Sequence, residues 1–272
     1  MRTVVITGAS DGIGAAASEQ LAGGDLRLVL VGRSAAKTKA VAARTGAEWH
    51  VADFEQLEQV RGLADALRAS CDRIDVLANN AGGIFSGPAK TADGFEKTFQ
   101  VNHLAPFLLT HLLLDRILEA GGAVVNTASI AARLYSRLDF DDLQGFGDFR
   151  PTRAYGDSKL ANILFAKGLH SRYADQGLSA VAFHPGDVAT NFASDTDSFF
   201  RRVYHSPLKA TLIPARKGGA NLAHFITGQP GRDWTSGEYY GSRRTVSRTN
   251  RKAYDPAVVD RHWQVSCELL GI

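Results

Sequence analysis

Thr7-Gly-Ala-Ser-Asp-Gly12-Ile-Gly14 follows a β-rich run over residues 2–7 and leads into Ala15, Ala16, Ala17 and Leu21, so it reads as strand, glycine loop, helix. Each glycine has its own task there. Gly8 permits the tight turn, Gly12 lets the backbone approach a pyrophosphate, and Gly14 lets helix and strand pack closely, while the helix N-terminus faces the anion. The spacing is GxxxGxG rather than the more widespread GxGxxG, and its strand-to-helix setting is what gives it meaning. The fold expected from it is a doubly wound α/β sheet.

Outward from the loop, Leu26–Val31 is a continuous apolar strand ending in Gly32-Arg33-Ser34, nineteen residues beyond Gly14. That is where such a fold meets the adenosine ribose. An acidic residue there would accept from a ribose 2′-OH, whereas an arginine attracts a 2′-phosphate and stacks on adenine, so Arg33 favours NADP over NAD. Asp11, a negative charge in the glycine loop, weighs against it. A third strand around Glu48–Val51 leads to Asp53, which either bonds the adenine amino group or caps a helix starting near Glu55. A fourth, Ile74–Ala78, runs into Asn79-Asn80-Ala81-Gly82-Gly83, whose small and amide residues suit a backbone passing close to a cofactor. Asn79 alternatively pins the strand ends.

A helical pattern extends from about Asp93 to Glu119 and contains Asn102, His103 and Pro106. Pro106 lacks the N–H that would bond the carbonyl of residue 102, so Asn102 is expected to keep a main-chain oxygen for a water on a proton path. His103 reads as a packed residue. A fifth strand, Gly122–Thr127, delivers Ser129, and twenty-six residues later comes Tyr155-Gly-Asp-Ser-Lys159. A phenol and an ammonium four apart share one helical face, and a fixed cation is the usual means of making tyrosine an acid–base group near neutral pH. The aromatic stretch between Ser129 and Tyr155 is expected to wall a substrate site, and residues 191–213 to cover it. A sixth strand, Leu178–Phe183, leads to His184-Pro185-Gly186, a turn suited to a nicotinamide carboxamide. Pro214–Thr227 and Pro256–Leu270 read as helices and Ser236–Tyr240 as a last strand.

Composition limits the function. With 272 residues, 44% hydrophobic and 22% charged, one sizeable core is expected, and a net charge of +3 implies neither nucleic acid nor a membrane surface. No apolar run is long enough to span a bilayer, and the first residues lack the features of a signal peptide, so a cytoplasmic protein is expected. Cys71 and Cys267 form no CxxC motif, which suits a reducing compartment and offers no metal-site spacing. Arg243, Arg244, Arg248, Arg251 and Lys252 have no acidic neighbour in sequence and suit a solvated loop or, alternatively, an anionic substrate or partner.

Together, Thr7-Gly-x-x-x-Gly-x-Gly14, Asn79-Asn-Ala-Gly82, Asn102, Ser129, Tyr155-x-x-x-Lys159 and Pro185-Gly186-x-x-x-Thr190 resemble the short-chain dehydrogenase/reductases, in order and over nearly the whole chain. Val101–Thr110, Phe140–Gly145 and Ser158–Phe165 resemble the retinol-dehydrogenase-like branch, whose bacterial relatives include carbonyl reductases. The resemblance implies a single Rossmann-type domain with seven parallel strands and a catalytic tetrad of Asn102, Ser129, Tyr155 and Lys159. It also implies a cofactor shell of Gly8, Ser10, Asp11, Gly12, Ile13, Gly14, Arg33, Asp53, Phe54, Asn80, Ala81, Gly82, Tyr155, Lys159, Pro185, Gly186, Val188 and Thr190. A homodimer or homotetramer is the family expectation. The implied activity is NADPH-dependent reduction of a ketone or aldehyde, with NAD-dependent alcohol oxidation and a non-catalytic NADP-sensing scaffold as alternatives.

Overall fold

In the computed structural model, which describes residues 1–186 and 214–272, the strand Arg2–Thr7 (β1) sends Val5 to one face of a sheet and Val4 and Ile6 to the other. All three are fully buried. A strand buried on both faces must be covered on both, which is the signature of a parallel sheet with helices above and below. The other strands are Leu26–Gly32 (β2), Glu48–Val51 (β3), Val76–Asn79 (β4), Ala123–Thr127 (β5), Ser179–Phe183 (β6) and Tyr239–Tyr240 (β7). Their order is β3-β2-β1-β4-β5-β6-β7, and every neighbouring pair is parallel.

One face carries the helices Leu57–Ser70, Ala105–Leu112, Pro151–Tyr173 and Pro256–Leu270, packed through Leu63, Leu67, Phe107, Phe165 and Val259. The other carries Gly12–Leu21, Ala35–Thr45 and Ala215–Thr227, packed through Ala17, Val41, Leu222 and Phe225. Burying each Leu, Val or Phe contributes about 1.5–3 kcal/mol, so the two cores hold the sheet between them. The chain runs outward from β1 to β3, then returns to place β4 on the other side of β1. The loops after β1 and β4 therefore part, and a crevice opens at the carboxyl ends of these strands.

Three sequence expectations are corrected. The helix after β3 begins at Leu57, not near Glu55, because Asp53 Oδ1 accepts from the Glu55 N–H (3.0 Å) in a preceding turn and Asp93 Oδ2 accepts from the Leu57 N–H (2.9 Å). The long helix expected from Asp93 begins at Lys97, where Glu96 accepts from the N–H groups of Thr98 and Phe99. It then widens into a π turn over Gln100–Leu104 just before Pro106 and breaks at Leu113 (φ −106°). A register slip next to a proline is one of the few recurrent causes of a helix bend. The last strand shortens to Tyr239–Tyr240 because Gly237, at φ +82°, bends the chain before it.

His103 is packed, as expected, and has a buried partner. Its ring centroid lies 4.6 Å from that of His262 and within 6.1 Å of those of Phe99, Phe107 and Phe165, and its Nε2 meets Ser266 Oγ at 3.0 Å. Neither ring nitrogen of His262 has a hydrogen-bond partner among the described residues. Burial holds His103 well below the usual histidine range and His262 down to about 3. The unfolded chain thus binds protons near pH 6.5 that the folded chain refuses, so stability is full above that value and falls as the pH drops toward 3. Each histidine should contribute a slope of up to about 1.4 kcal/mol per pH unit between pH 6 and 5. Urea unfolding across that range should show His262→Leu losing less stability on acidification than the wild-type protein; parallel slopes would refute the assignment.

Candidate active site

The crevice has a volume of about 670 Å³, suited to a large cofactor with a substrate beside it. Its floor is made where the β1 and β4 loops meet. Thr7 Oγ1 accepts from the N–H groups of Asn80 (3.0 Å) and Ala81 (3.1 Å), and Asn80 Nδ2 donates to the carbonyls of Thr7 (3.0 Å) and Gly8 (3.3 Å). Such closeness requires glycine. A Cβ on Gly8 would lie 2.7 Å from Ala81 Cα, and one on Gly14 would lie 2.3 Å from the Gly8 oxygen. The loop is thus a bare backbone cradle at a helix N-terminus, which fits the pyrophosphate of a dinucleotide. Ser10, Asp11, Gly12 and Ile13 line it.

Beyond the cradle, Gly82 brings two of the expected catalytic side chains together, since a Cβ there would meet Asn102 Oδ1 at 2.8 Å and Lys159 Nζ at 3.3 Å. Lys159 is 3% exposed, donates to the Thr127 carbonyl (3.0 Å), and sits 5.6 Å from the Tyr155 ring centroid. Burial lowers its ammonium to about 8. Asn102 uses its amide structurally: Nδ2 donates to the Gly83 carbonyl (2.8 Å) and Ser158 Oγ (3.0 Å), and Oδ1 accepts from the Gly83 N–H (2.8 Å). Ser158 in turn donates to the Tyr155 carbonyl. The π turn and the Tyr155 helix are thereby tied to the loop after β4. Ser129 Oγ accepts from the Ala131 N–H (3.2 Å), and Ser129, Tyr155 and Lys159 all line the crevice.

At the end of the crevice where the sequence places the adenosine, Arg33, Asp53 and Phe54 are lining residues. The Asp11 charge is offset by a residue that sequence reasoning missed: Lys37 Nζ lies 3.1 Å from Asp11 Oδ2 and lines the same end of the crevice. Its only signal was its place in the first turn of the helix that follows Arg33. Arg33 itself stands 3.9 Å from Glu55, which holds Lys97 at 2.7 Å. Asp53 spends one oxygen on its turn while still facing the crevice.

At the opposite end, Pro185 and Gly186 line the site, and Val188 and Thr190 lie outside the described residues, as does the expected cover at 191–213. Asn221 was also missed. Its Nδ2 donates to the carbonyls of Pro185 and Ser242 (both 3.1 Å), and Arg244 Nε donates to its Oδ1 (2.9 Å), which fixes the amide's orientation. Thus one arginine of the basic segment serves the site's scaffold.

Only the first part of the aromatic stretch forms a wall. Ile130, Ala131, Leu134 and Tyr135 line the crevice with Phe85 and Val101, whereas Phe140 lies under Arg261, Phe146 under Lys90, and Phe149 against Gly87. Phe140 and Phe146 sit in local turns that Asp139 and Asp142 close on the N–H groups of Asp141, Phe146 and Gly147.

Comparison with known proteins gives the same reading. The short chain dehydrogenase family profile matches residues 2–199. A Streptomyces sp. (strain C5) protein named as a daunorubicin C-13 ketoreductase is 39% identical over 99% of this chain and 93% of its own length. Mouse retinol dehydrogenase 12 is 34% identical over 100% of this chain and 87% of its own. A crystal structure of an uncharacterized Mycobacterium paratuberculosis protein superposes with a TM-score of 0.79 at 31% identity, covering 99% of this chain and 93% of that one. Sheet order, glycine cradle and whole-length similarity agree, and the chain belongs to the short-chain dehydrogenases, the NAD(P)-dependent oxidoreductases.

Proposed function

We propose that the protein reduces a ketone or aldehyde of a bulky apolar molecule with NADPH. The observation that carries this reading is the buried Lys159 ammonium beside the Tyr155 ring in a crevice with an apolar mouth. When bound, the nicotinamide cofactor supplies the hydride that reaches the carbonyl carbon. Tyr155 gives its proton to the carbonyl oxygen and Ser129 donates a hydrogen bond to the same atom, so negative charge never builds up unassisted. Lys159 makes the resulting phenolate affordable by proximity of charge. In this reading the proton that Tyr155 gives up is replaced from solvent, with the Asn102 carbonyl, to which Pro106 can offer no N–H, as the proposed point of entry. Exposed Leu134 and Tyr135 at the mouth suit an apolar substrate, and the Streptomyces relative is named as a daunorubicin C-13 ketoreductase.

NADP preference rests on Arg33 and Lys37 flanking one end of the crevice. Glu55 beside Arg33 favours the alternative, NAD-dependent oxidation of an alcohol, because a carboxylate accepts from a ribose 2′-hydroxyl. A charge-assisted contact to a 2′-phosphate is worth about 1.5–3 kcal/mol, or roughly tenfold to a hundredfold in affinity. Arg33→Asp and Lys37→Ala should each weaken NADPH binding on that scale in a fluorescence titration while sparing NADH. An unchanged NADPH-to-NADH ratio in both variants would overturn the assignment.

Tyr155→Phe should lower kcat by about 10²–10⁴ while leaving NADPH affinity nearly intact. In the wild-type protein, kcat/KM for reduction should fall on the alkaline side with an apparent pKa near 8, as Lys159 loses the proton that makes it useful. A Tyr155→Phe variant with full turnover would leave the scaffold reading in place, and a profile flat to pH 9.5 would remove Lys159 from the titrating role.

A further inference from the structure

Ser136, Arg137 and Leu138 belong to neither helix nor strand, yet five of their main-chain groups are bonded by side chains from distant parts of the chain. Asp157 Oδ1 accepts from the N–H groups of Arg137 (2.8 Å) and Leu138 (2.7 Å) and from Ser136 Oγ (2.6 Å). Asn250 Nδ2 donates to the Ser136 carbonyl (3.2 Å), and Lys252 Nζ donates to the carbonyls of Arg137 (2.8 Å) and Leu138 (2.7 Å). Leu138 is held at φ +43°, a backbone state that a leucine keeps only when its surroundings impose it. Between Tyr155 and Asp157, Gly156 lets the helix and this segment touch, since a Cβ there would lie 2.8 Å from the Ser136 nitrogen and 3.0 Å from the Tyr135 carbonyl carbon.

We propose that Asp157, Asn250 and Lys252 are positioning residues that key the apolar wall of the substrate site to the Tyr155 helix and so set which size of carbonyl compound binds well; this rests on the carbonyl-reductase reading above. The wall residues Leu134 and Tyr135, 57% and 43% exposed, run directly into the held segment. They end the short helix Ala131–Leu134 and run straight into Ser136–Leu138, so the outer end of the wall moves with that segment. A small aldehyde needs only the group that protonates it and the cofactor. A bulky ketone must also lie along the wall, so it alone feels the wall shift. The basic segment thus acquires a second purpose besides that of Arg244: it reaches across to the mouth of the site through Asn250 and Lys252.

Lys252→Met keeps the aliphatic stem and removes the donors. We would measure KM and kcat for propanal and for 2-acetylnaphthalene with NADPH, the Kd of 2-acetylnaphthalene on the cofactor-loaded protein, and amide hydrogen exchange over residues 134–138. A displaced wall costs on the order of tenfold to a hundredfold for the ligand that uses it. The expected result is that rise in KM and Kd for 2-acetylnaphthalene, with propanal turnover unchanged, faster exchange over 134–138, and recovery in Lys252→Arg. Equal losses for both compounds, or no change in either, would overturn the proposal. If wild type binds 2-acetylnaphthalene without reducing it, the reductase reading fails while the ratio of Kd values still decides the clamp. If wild type does not bind it at all, the wall has no such ligand and the clamp's proposed purpose is refuted.

Discussion

The contact between the end of β1 and the loop after β4 governs the rest of the molecule. Where these strands part, Thr7 and Asn80 exchange side-chain hydrogen bonds with each other's backbones, and Gly8 lies against Ala81 at a distance no other residue allows. Moving the two loops apart would break the hydrogen bonds that pair these part-buried polar groups. Moving them closer is sterically closed. The floor of the crevice is therefore fixed by bare glycine backbone and by the Thr7 and Asn80 side chains, and side chains further out need only be aimed.

From that floor, charge is distributed by burial. Lys159 has lost most of its contact with water and has one carbonyl, that of Thr127, in exchange, which makes its proton easier to remove than an ordinary lysine's. A cation so placed is responsive to what sits beside it, and the phenol one helical turn away is what the helix places there. At the adenosine end, by contrast, the charges are half-exposed and arranged as pairs: Lys37 with Asp11, and Glu55 shared between Lys97 and Arg33. Each exposed pair contributes little to stability, so these residues can exchange partners at small cost.

What could be read in the sequence followed from short-range rules. The glycine spacing, the apolar strands and the four-residue separation of Tyr155 and Lys159 act within one turn or one loop, and the fold and the core of the site came from them. Lys37, Asn221 and Asp157 were not legible, because each acquires its meaning from a partner far along the chain: Asp11, Pro185 and the segment at 136–138. The helix expected from Asp93 was misjudged at its start because polar residues ahead of Lys97 bond other segments instead of continuing the helix. Asp93, for example, bonds both Leu57 and Gln100. Asp157 would have read as one more polar residue on a helix.

Gly219 rests on the first helix so closely that a Cβ would lie 2.8 Å from both Ala16 and Ala17. The helix Ala215–Thr227 therefore joins the glycine loop on one side to Pro185, through Asn221, on the other. The family profile stops at residue 199, before this helix begins. A fragment cut at that limit would keep the glycine cradle and the Tyr155 helix and lose the brace between the two ends of the crevice.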